Sequence, residues 1–288
     1  MRPMILIWKN CIVYVLIGSL YGCSFIQTIP VNSLEASPTG RVVQFLYESQ
    51  GGMAEGYLIR PIGIGPFPLI VLLHGDSWSR EGATRVIPVA EQFSNKLCYA
   101  SLAISLPGYG KTEVASNGDT REITTKVVAD GISKVRGLPW VDPKRIMLYG
   151  FSRGALFAAK LASEISGLTG LVLHSGAYDI DRLYQDTPSN WVRQSINPNG
   201  EARPPLFSIL PEVSSWPAPA LILHGAKDQL IPMNQALLLR DQLRALGKPH
   251  RFVIFPDAGH RLPLNEVRDE VLSFLNQNVG SACRVNDP

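Results

Sequence analysis

The sequence predicts an α/β protein: a mostly parallel sheet with helices on both faces, entered through an antiparallel hairpin. Three observations carry this. Short continuous apolar runs recur at Phe67–Leu73, Tyr99–Ile104, Arg145–Tyr149, Gly170–Leu173, Ala220–Leu223 and Arg251–Phe255, as expected of strands covered on both sides. Stretches of helical spacing alternate with them at Glu81–Lys96, Thr120–Arg136, Gly154–Ile165, Asn234–Leu246 and Leu264–Gln277. Strand–helix alternation of this kind builds parallel sheets. The third observation is composition. With 45% hydrophobic and 18% charged residues over 288 positions, the chain can bury a full core and is not disordered.

The N-terminus reads as an address. Arg2 and Lys9 precede the apolar stretch Cys11–Leu20, which falls short of the roughly 20 residues that span a bilayer. A secretory signal over residues 1–22 is therefore expected. It ends Leu20-Tyr21-Gly22-Cys23, which resembles the bacterial lipoprotein box, so Cys23 is the candidate lipidation site and a membrane anchor is implied. Simple secretion and an uncleaved anchor helix are the alternatives. Residues 23–40 then read as a tether, and residues 281–288 as a tail. Export would permit a Cys98–Cys283 disulfide, with two separate thiols as the alternative.

From residue 41 to about 280 the chain has one organisation. Arg41–Glu48 and Met53–Arg60 flank Ser49-Gln50-Gly51-Gly52, a hairpin signature. The βα units follow. One segment breaks their rhythm: residues 176–217, rich in Pro, Ser, Asn and aromatics, which reads as a small cap containing one or two short helices. Charge excludes one class of partner. The formal net charge of +3, or +1 without Arg2 and Lys9, provides no footprint for nucleic acid. Four cysteines without CxxC spacing argue against a zinc site, and no metal or organic cofactor is implied.

Ligands in such sheets gather at the carboxyl ends of the strands, so the residues just after each run are the candidates. After Arg145–Tyr149 comes Gly150-Phe151-Ser152-Arg153-Gly154, followed by the small-residue helix Ala155-Leu156-Phe157-Ala158-Ala159. A strand-to-helix elbow presents the Ser152 hydroxyl above the sheet, and the glycines admit closely passing backbone. The competing role for Ser152 is a helix N-cap.

A serine hydroxyl needs a base to become a nucleophile. His260 alone of the five histidines sits between the last strand and the closing helix, where the base belongs in the order nucleophile, acid, histidine. His74 and His224 read as loop supports, and His174 as a satisfied buried histidine. The orienting acid is Asp228 in His224-Gly225-Ala226-Lys227-Asp228, with Asp179 as its main competitor and Asp257 and Glu266 behind it. Donors for an oxyanion are expected from the Arg153 N–H and from the loop His74-Gly75-Asp76-Ser77-Trp78. There Asp76 is assigned the N–H, with Ser77 as the alternative and an Asp76 side chain free to cap the following helix. Trp78 and Tyr178 are candidate substrate-binding residues.

With these residues the chain resembles the α/β-hydrolase superfamily over roughly residues 40–280. Leu106-Pro107-Gly108-Tyr109-Gly110-Lys111-Thr112 is similar to its Pro-Gly-x-Gly loop. The segment Pro219–Pro232, with its continuation to Gly259-His260, resembles the catalytic part of the prolyl-oligopeptidase-like and dienelactone-hydrolase-like branches. The resemblance implies a serine hydrolase acting on a small-molecule ester or related acyl bond through Ser152, Asp228 and His260. Three departures stand out. The sequence has no β-propeller, serine replaces the cysteine of dienelactone hydrolases, and Asp76 stands where a His-Gly-Gly-Gly oxyanion loop would carry glycine. An oligopeptidase or amidase with the same triad, and a non-catalytic envelope binding protein, are the other readings.

Overall fold

A computed structural model describes residues 26–115, 120–202 and 207–279. The signal, Cys23, Cys283 and the 281–288 tail lie outside the described residues. The described strands form one sheet: β1 (Gln27–Thr28), β2 (Val42–Ser49), β3 (Gly52–Ile59), β4 (Phe67–Leu73), β5 (Ala100–Ile104), β6 (Val141–Phe151), β7 (Leu168–His174), β8 (Ala220–Gly225) and β9 (His250–Phe255). Their order is β1-β2-β3-β5-β4-β6-β7-β8-β9. Strands β5, β4, β6, β7, β8 and β9 run parallel, and β3 lies antiparallel to both β2 and β5. The hairpin closes through Gln50 and Gly51, both at positive φ (48° and 71°), the backbone that a two-residue turn between twisted strands requires.

Helices α1 (Ile87–Leu97), α2 (Thr120–Arg136), α3 (Arg153–Leu161), α6 (Asn234–Ala245) and α7 (Leu264–Asn278) cover the two faces. The period-2 alternation of a strand divides the core. Leu69, Val71 and Leu73 of β4 pack in one layer with residues of α2, α3 and α6. Ile70 and Leu72 pack in the other with residues of α1 and α7. Every residue of β4 is buried, which is why this strand reads as an unbroken apolar run. Strand β4 lies between β5 and β6, where the direction of the crossovers reverses. The crevice at that carboxyl edge is where the fold offers room for a ligand. This is the α/β-hydrolase fold, with the expected N-terminal hairpin.

The structure begins the folded part earlier than the sequence suggests. Within residues 23–40, read as tether, the described part is fastened to the body: Gln27 and Thr28 pair with Val43 and Gln44, and Leu34 in the 3-10 turn Val31–Ala36 is buried. Such short elements carry no periodicity to read; a sheet edge in need of a partner orders them. The insert at 176–217 holds α4 (Ile180–Asp186), α5 (Asn190–Ile196) and the 3-10 turn Leu210–Ser215. It is fastened to the body by Gln235 Oε1, which accepts the N–H of Tyr178 and of Asp179, both at 2.9 Å. Thr187 Oγ1 also donates to Leu230 O at 2.9 Å. Cys98, at the end of α1, is disulfide-bonded, so it is not a free thiol.

Candidate functional site

Strand β6 ends at Phe151 and α3 begins at Arg153, leaving Ser152 alone to turn the chain. It does so at φ 55°, ψ −119°, a conformation that L-residues rarely adopt. Close packing enforces the turn. A Cβ on Gly154 would lie 2.1 Å from Leu73 O, and one on Gly150 would lie 2.4 Å from Gly154 O. Both flanking glycines are thus needed for β6 and α3 to approach β4. Ser152 N–H donates to His174 O at 2.8 Å, which pins the elbow to the end of β7. The Ser152 side chain makes no cap bond to α3, so the N-cap alternative fails.

The Ser152 hydroxyl lies 2.9 Å from His260 Nε2, and His260 Nδ1 lies 2.8 Å from Asp228 Oδ2. The three residues come from loops after β6, β9 and β8, and 108 positions separate the first pair. Asp228 is buried, and its other oxygen, Oδ1, accepts the N–H of Leu230 at 2.9 Å and of Ile231 at 3.0 Å. With Oδ1 so occupied, Oδ2 is the oxygen directed at the imidazole. Gly225 lets the two loops meet, because a Cβ there would lie 2.2 Å from Gly259 O.

The rival acids are elsewhere. Asp179 caps α4 by accepting Arg182 N–H at 2.9 Å, Asp257 pairs with Lys227 at 2.8 Å, and Glu266 lies in the first turn of α7.

Three further histidines surround this arrangement and are held neutral. His74 Nε2 accepts Leu106 N–H at 3.0 Å, so its proton is on Nδ1, which donates to Gly75 O at 2.8 Å. Burial, aided by the charge of Arg153, pushes its pKa down to about 4. His224 donates from Nε2 to Ile231 O at 2.8 Å, bracing the loop that carries Asp228, and burial lowers its pKa too. Both act as loop supports, as the sequence suggests. His174, expected to be a satisfied buried histidine, is only half satisfied. Its Nδ1 meets Tyr149 Oη at 2.9 Å, but its buried Nε2 has no partner. Burial, reinforced by His260 and His224, pushes its pKa down to about 3.

The loop after β4 is tied down from several sides. Asp76 does not cap the following helix. Its Oδ1 accepts Tyr109 Oη–H at 2.6 Å and Arg153 Nη1–H at 3.1 Å, its Oδ2 accepts Ser195 Oγ–H at 3.2 Å, and its carbonyl accepts Arg85 Nη1–H at 3.1 Å. Burial works to raise the Asp76 pKa, but the Arg153 charge and the three side-chain bonds outweigh it and hold the carboxyl below the usual range. Tyr109 is itself positioned from behind. The buried Glu55 accepts Ser105 Oγ–H at 2.6 Å and Lys111 N–H at 3.2 Å, fixing both ends of the Pro107–Gly110 loop. Tyr109 and Ser195 escape sequence reasoning because nothing local marks them; only the Pro-Gly-x-Gly resemblance touches Tyr109.

The two substrate-contact candidates part company. Trp78 is 82% exposed, and its ring centroid lies 5.8 Å from that of Trp191 in α5. Tyr178, at the start of the insert, is fully buried in the core and offers no face to a substrate. That corrects its assignment: the sequence places it near the end of β7 but cannot show that its ring turns inward. Two surface clefts, of about 230 and 550 Å³, are lined by Trp140 and Arg60 and by the β2–β3 turn, away from Ser152.

Known proteins share this arrangement of strands and loops. The model of the prolyl oligopeptidase family matches residues 113–282, more than half of the chain and the part that holds Ser152, Asp228 and His260. The chain belongs to the prolyl oligopeptidase family. A second model, that of FrsA-like esterases, matches residues 35–176 of this family member. Among curated relatives, an uncharacterized peptidase of Bacillus subtilis, YuxL, is 25% identical over 83% of the chain and 40% of its own length. Another from the same organism, YtmA, is 26% identical over 79% of the chain and 89% of its own length. Among solved structures, Pyrococcus horikoshii acylaminoacyl peptidase superposes with a TM-score of 0.69 at 18% identity, covering 86% of this chain and 43% of that one. The chain thus spans about 40% of the length of YuxL, and this prolyl-oligopeptidase-family protein matches YtmA over most of both chains.

Proposed function

We propose that this protein is a serine hydrolase that cleaves a carboxylic ester or related acyl bond through an acyl-enzyme. The observation that supports it best is the unbroken relay Ser152 Oγ–His260 Nε2, His260 Nδ1–Asp228 Oδ2, at 2.9 and 2.8 Å. In this reading Ser152 Oγ attacks the carbonyl carbon while its proton passes to His260 Nε2. The N–H groups of Arg153 and Asp76 stabilise the oxyanion. The imidazolium, oriented by Asp228, then protonates the leaving alcohol as the acyl–oxygen bond breaks. Water then attacks the acyl carbon as its proton passes to His260 Nε2, and that proton returns to Ser152 Oγ as the acyl–serine bond breaks and the acid leaves. Arg153 is the first residue of α3, whose opening N–H groups have no acceptor within the helix, so its amide is free for this task. Trp78, exposed in the loop that carries Asp76, contacts the substrate.

A second reading, peptidase or amidase with the same residues, is favoured by the family and by the names of its relatives. The resemblance over residues 35–176 to FrsA-like esterases weighs toward the ester. We also propose that the chain is exported and anchored through a lipidated Cys23, on the strength of the Leu20–Cys23 motif. The deciding experiment labels purified protein lacking residues 1–23 with a fluorophosphonate, then assays aryl esters against peptide amides. Labelling of wild type but not of Ser152→Ala, with faster turnover of esters, is expected. Label uptake by Ser152→Ala would overturn the nucleophile, and faster amide turnover would move the substrate to peptides. An unlabelled, inactive wild type would leave a binding protein.

A further inference from the structure

The oxyanion reading above uses only two backbone amides, those of Asp76 and Arg153, and an amide donor needs no side chain. Yet these two residues are joined side chain to side chain: Arg153 Nη1–H donates to Asp76 Oδ1 at 3.1 Å. Both groups are largely covered, with side-chain exposures of 28% and 15%. The guanidinium also lies over the rings of Tyr109 and Phe157, at 5.9 and 5.7 Å. The other oxygen of Asp76 holds Ser195 of the cap helix α5, and one turn earlier on that helix Trp191 packs on Trp78 of the same loop. One carboxylate therefore touches the nucleophile elbow, the Pro107–Gly110 loop and the cap.

We infer that the Asp76–Arg153 ion pair is the spacer that sets the distance between the two oxyanion donors, and that the Asp76–Ser195 bond couples closure of the cap to that spacing. The inference rests on the hydrolase reading for its catalytic part, and its structural part stands on the contacts alone. Three parts of the arrangement carry it. A loop held only by its backbone would let the Asp76 N–H drift, whereas a charged bond to the residue after Ser152 ties the two donors to one frame. Tyr109 donates to the same oxygen at 2.6 Å, so the Asp76 side chain is held by a second donor beside Arg153. Were α5 to lift, Trp191 would leave Trp78 and Ser195 would leave Oδ2, and the carboxylate would lose one of its three side-chain partners. Asp76 and Arg153 act here as positioning residues through their side chains, and the alignment of the site depends on the cap being seated.

The test uses Asp76→Asn, Arg153→Met, Ser195→Ala and the Asp76→Asn/Arg153→Met double variant. Each is read in two ways: kcat and KM on p-nitrophenyl acetate and p-nitrophenyl octanoate, and hydrogen exchange of the 190–196 segment. A displaced donor costs about tenfold to a hundredfold in kcat. Asp76→Asn and Arg153→Met should each show that loss on both esters with little change in KM. The double variant should be no slower than the worse single, because both remove one interaction. Asp76→Asn should also speed exchange in α5, more than a hundred residues away in sequence. Ser195→Ala, at an exposed position that tolerates alanine, should lower kcat about two- to fivefold and speed the same exchange. Losses that multiply in the double variant would overturn the spacer. Exchange in α5 that Asp76→Asn and Ser195→Ala leave unchanged would overturn the coupling. A wild type that takes up no fluorophosphonate would instead sink the hydrolase reading, while the exchange measurement would still decide the clasp.

Discussion

Replacing Asp228 by Asn perturbs one atom and should disable the whole relay. Oδ1 accepts two backbone N–H groups, from Leu230 at 2.9 Å and Ile231 at 3.0 Å. An amide must keep its oxygen there, because its NH2 would face two donors. The NH2 is then forced to the Oδ2 position, 2.8 Å from His260 Nδ1. Being a donor, it requires His260 to present a bare Nδ1, so the imidazole proton moves to Nε2. That proton now points at Ser152 Oγ, 2.9 Å away, and His260 cannot take the serine's proton. Loss of the correct tautomer in such a triad costs about 10⁴ in kcat, while shape and packing are retained. The assay is steady-state hydrolysis of an activated aryl ester by wild type and variant, with thermal melts to show that both are folded. Asp179→Asn is the control. Asparagine caps a helix as well as aspartate does, so that variant should stay within about twofold of wild type. A folded Asp228→Asn protein that kept more than a tenth of wild-type kcat would refute the reasoning, and a larger loss at Asp179 would move the acid.

Three other outcomes follow from particular residues. The Ser152 backbone, at φ 55° and ψ −119°, stores about 1–3 kcal/mol. Ser152→Gly should therefore melt above Ser152→Ala by a few degrees, although glycine returns about 0.5–1 kcal/mol as unfolded-state entropy; the reverse order in a thermal melt would refute the strain. His74 and His174 have folded pKa values of about 4 and about 3, below the unfolded 6.5. Between roughly pH 6.5 and 4 the unfolded chain binds protons that the folded one refuses, so their stabilisation is full above 6.5 and lost as pH falls. Each adds a slope of about 1.4 kcal/mol per pH unit there. Urea melts should show His174→Asn flattening that slope by about this amount, and an unchanged slope would mean that His174 is not held neutral by burial. Finally, a bacterium expressing the full chain should yield a membrane form that begins at Cys23 and is heavier by acyl chains, and Cys23→Ser should abolish it. Intact mass and fractionation decide this, and an unacylated wild type would end the lipoprotein reading.

Much of this molecule is legible in one dimension, because its organising features are local or follow chain order. Apolar runs mark buried strands wherever β4, β5 and β8 lie, since both faces of each are covered and no polar alternation survives. Gly150 and Gly154 mark the elbow, since contacts at 2.1–2.4 Å leave no room for a Cβ. In a parallel sheet successive βα loops emerge at one edge, so the order Ser152, Asp228, His260 is readable before any distance is known. What depends on register and on which way a ring turns is not. Asp179 and Asp228 both follow strand ends; only the folded loops bring one of them to 2.8 Å from His260 and leave the other capping α4. Tyr178 and Trp78 look alike as aromatic residues near the edge, yet one is fully buried and the other 82% exposed. The two-residue strand β1 forms because the edge of β2 accepts it, not because its own sequence favours it. And Asp76, read from sequence as a backbone donor, proves to hold Tyr109, Arg153 and Ser195 with its side chain. Those partners lie 33, 77 and 119 positions away, and at such separations a hydrogen bond is decided by the packing of whole elements, which no local pattern encodes.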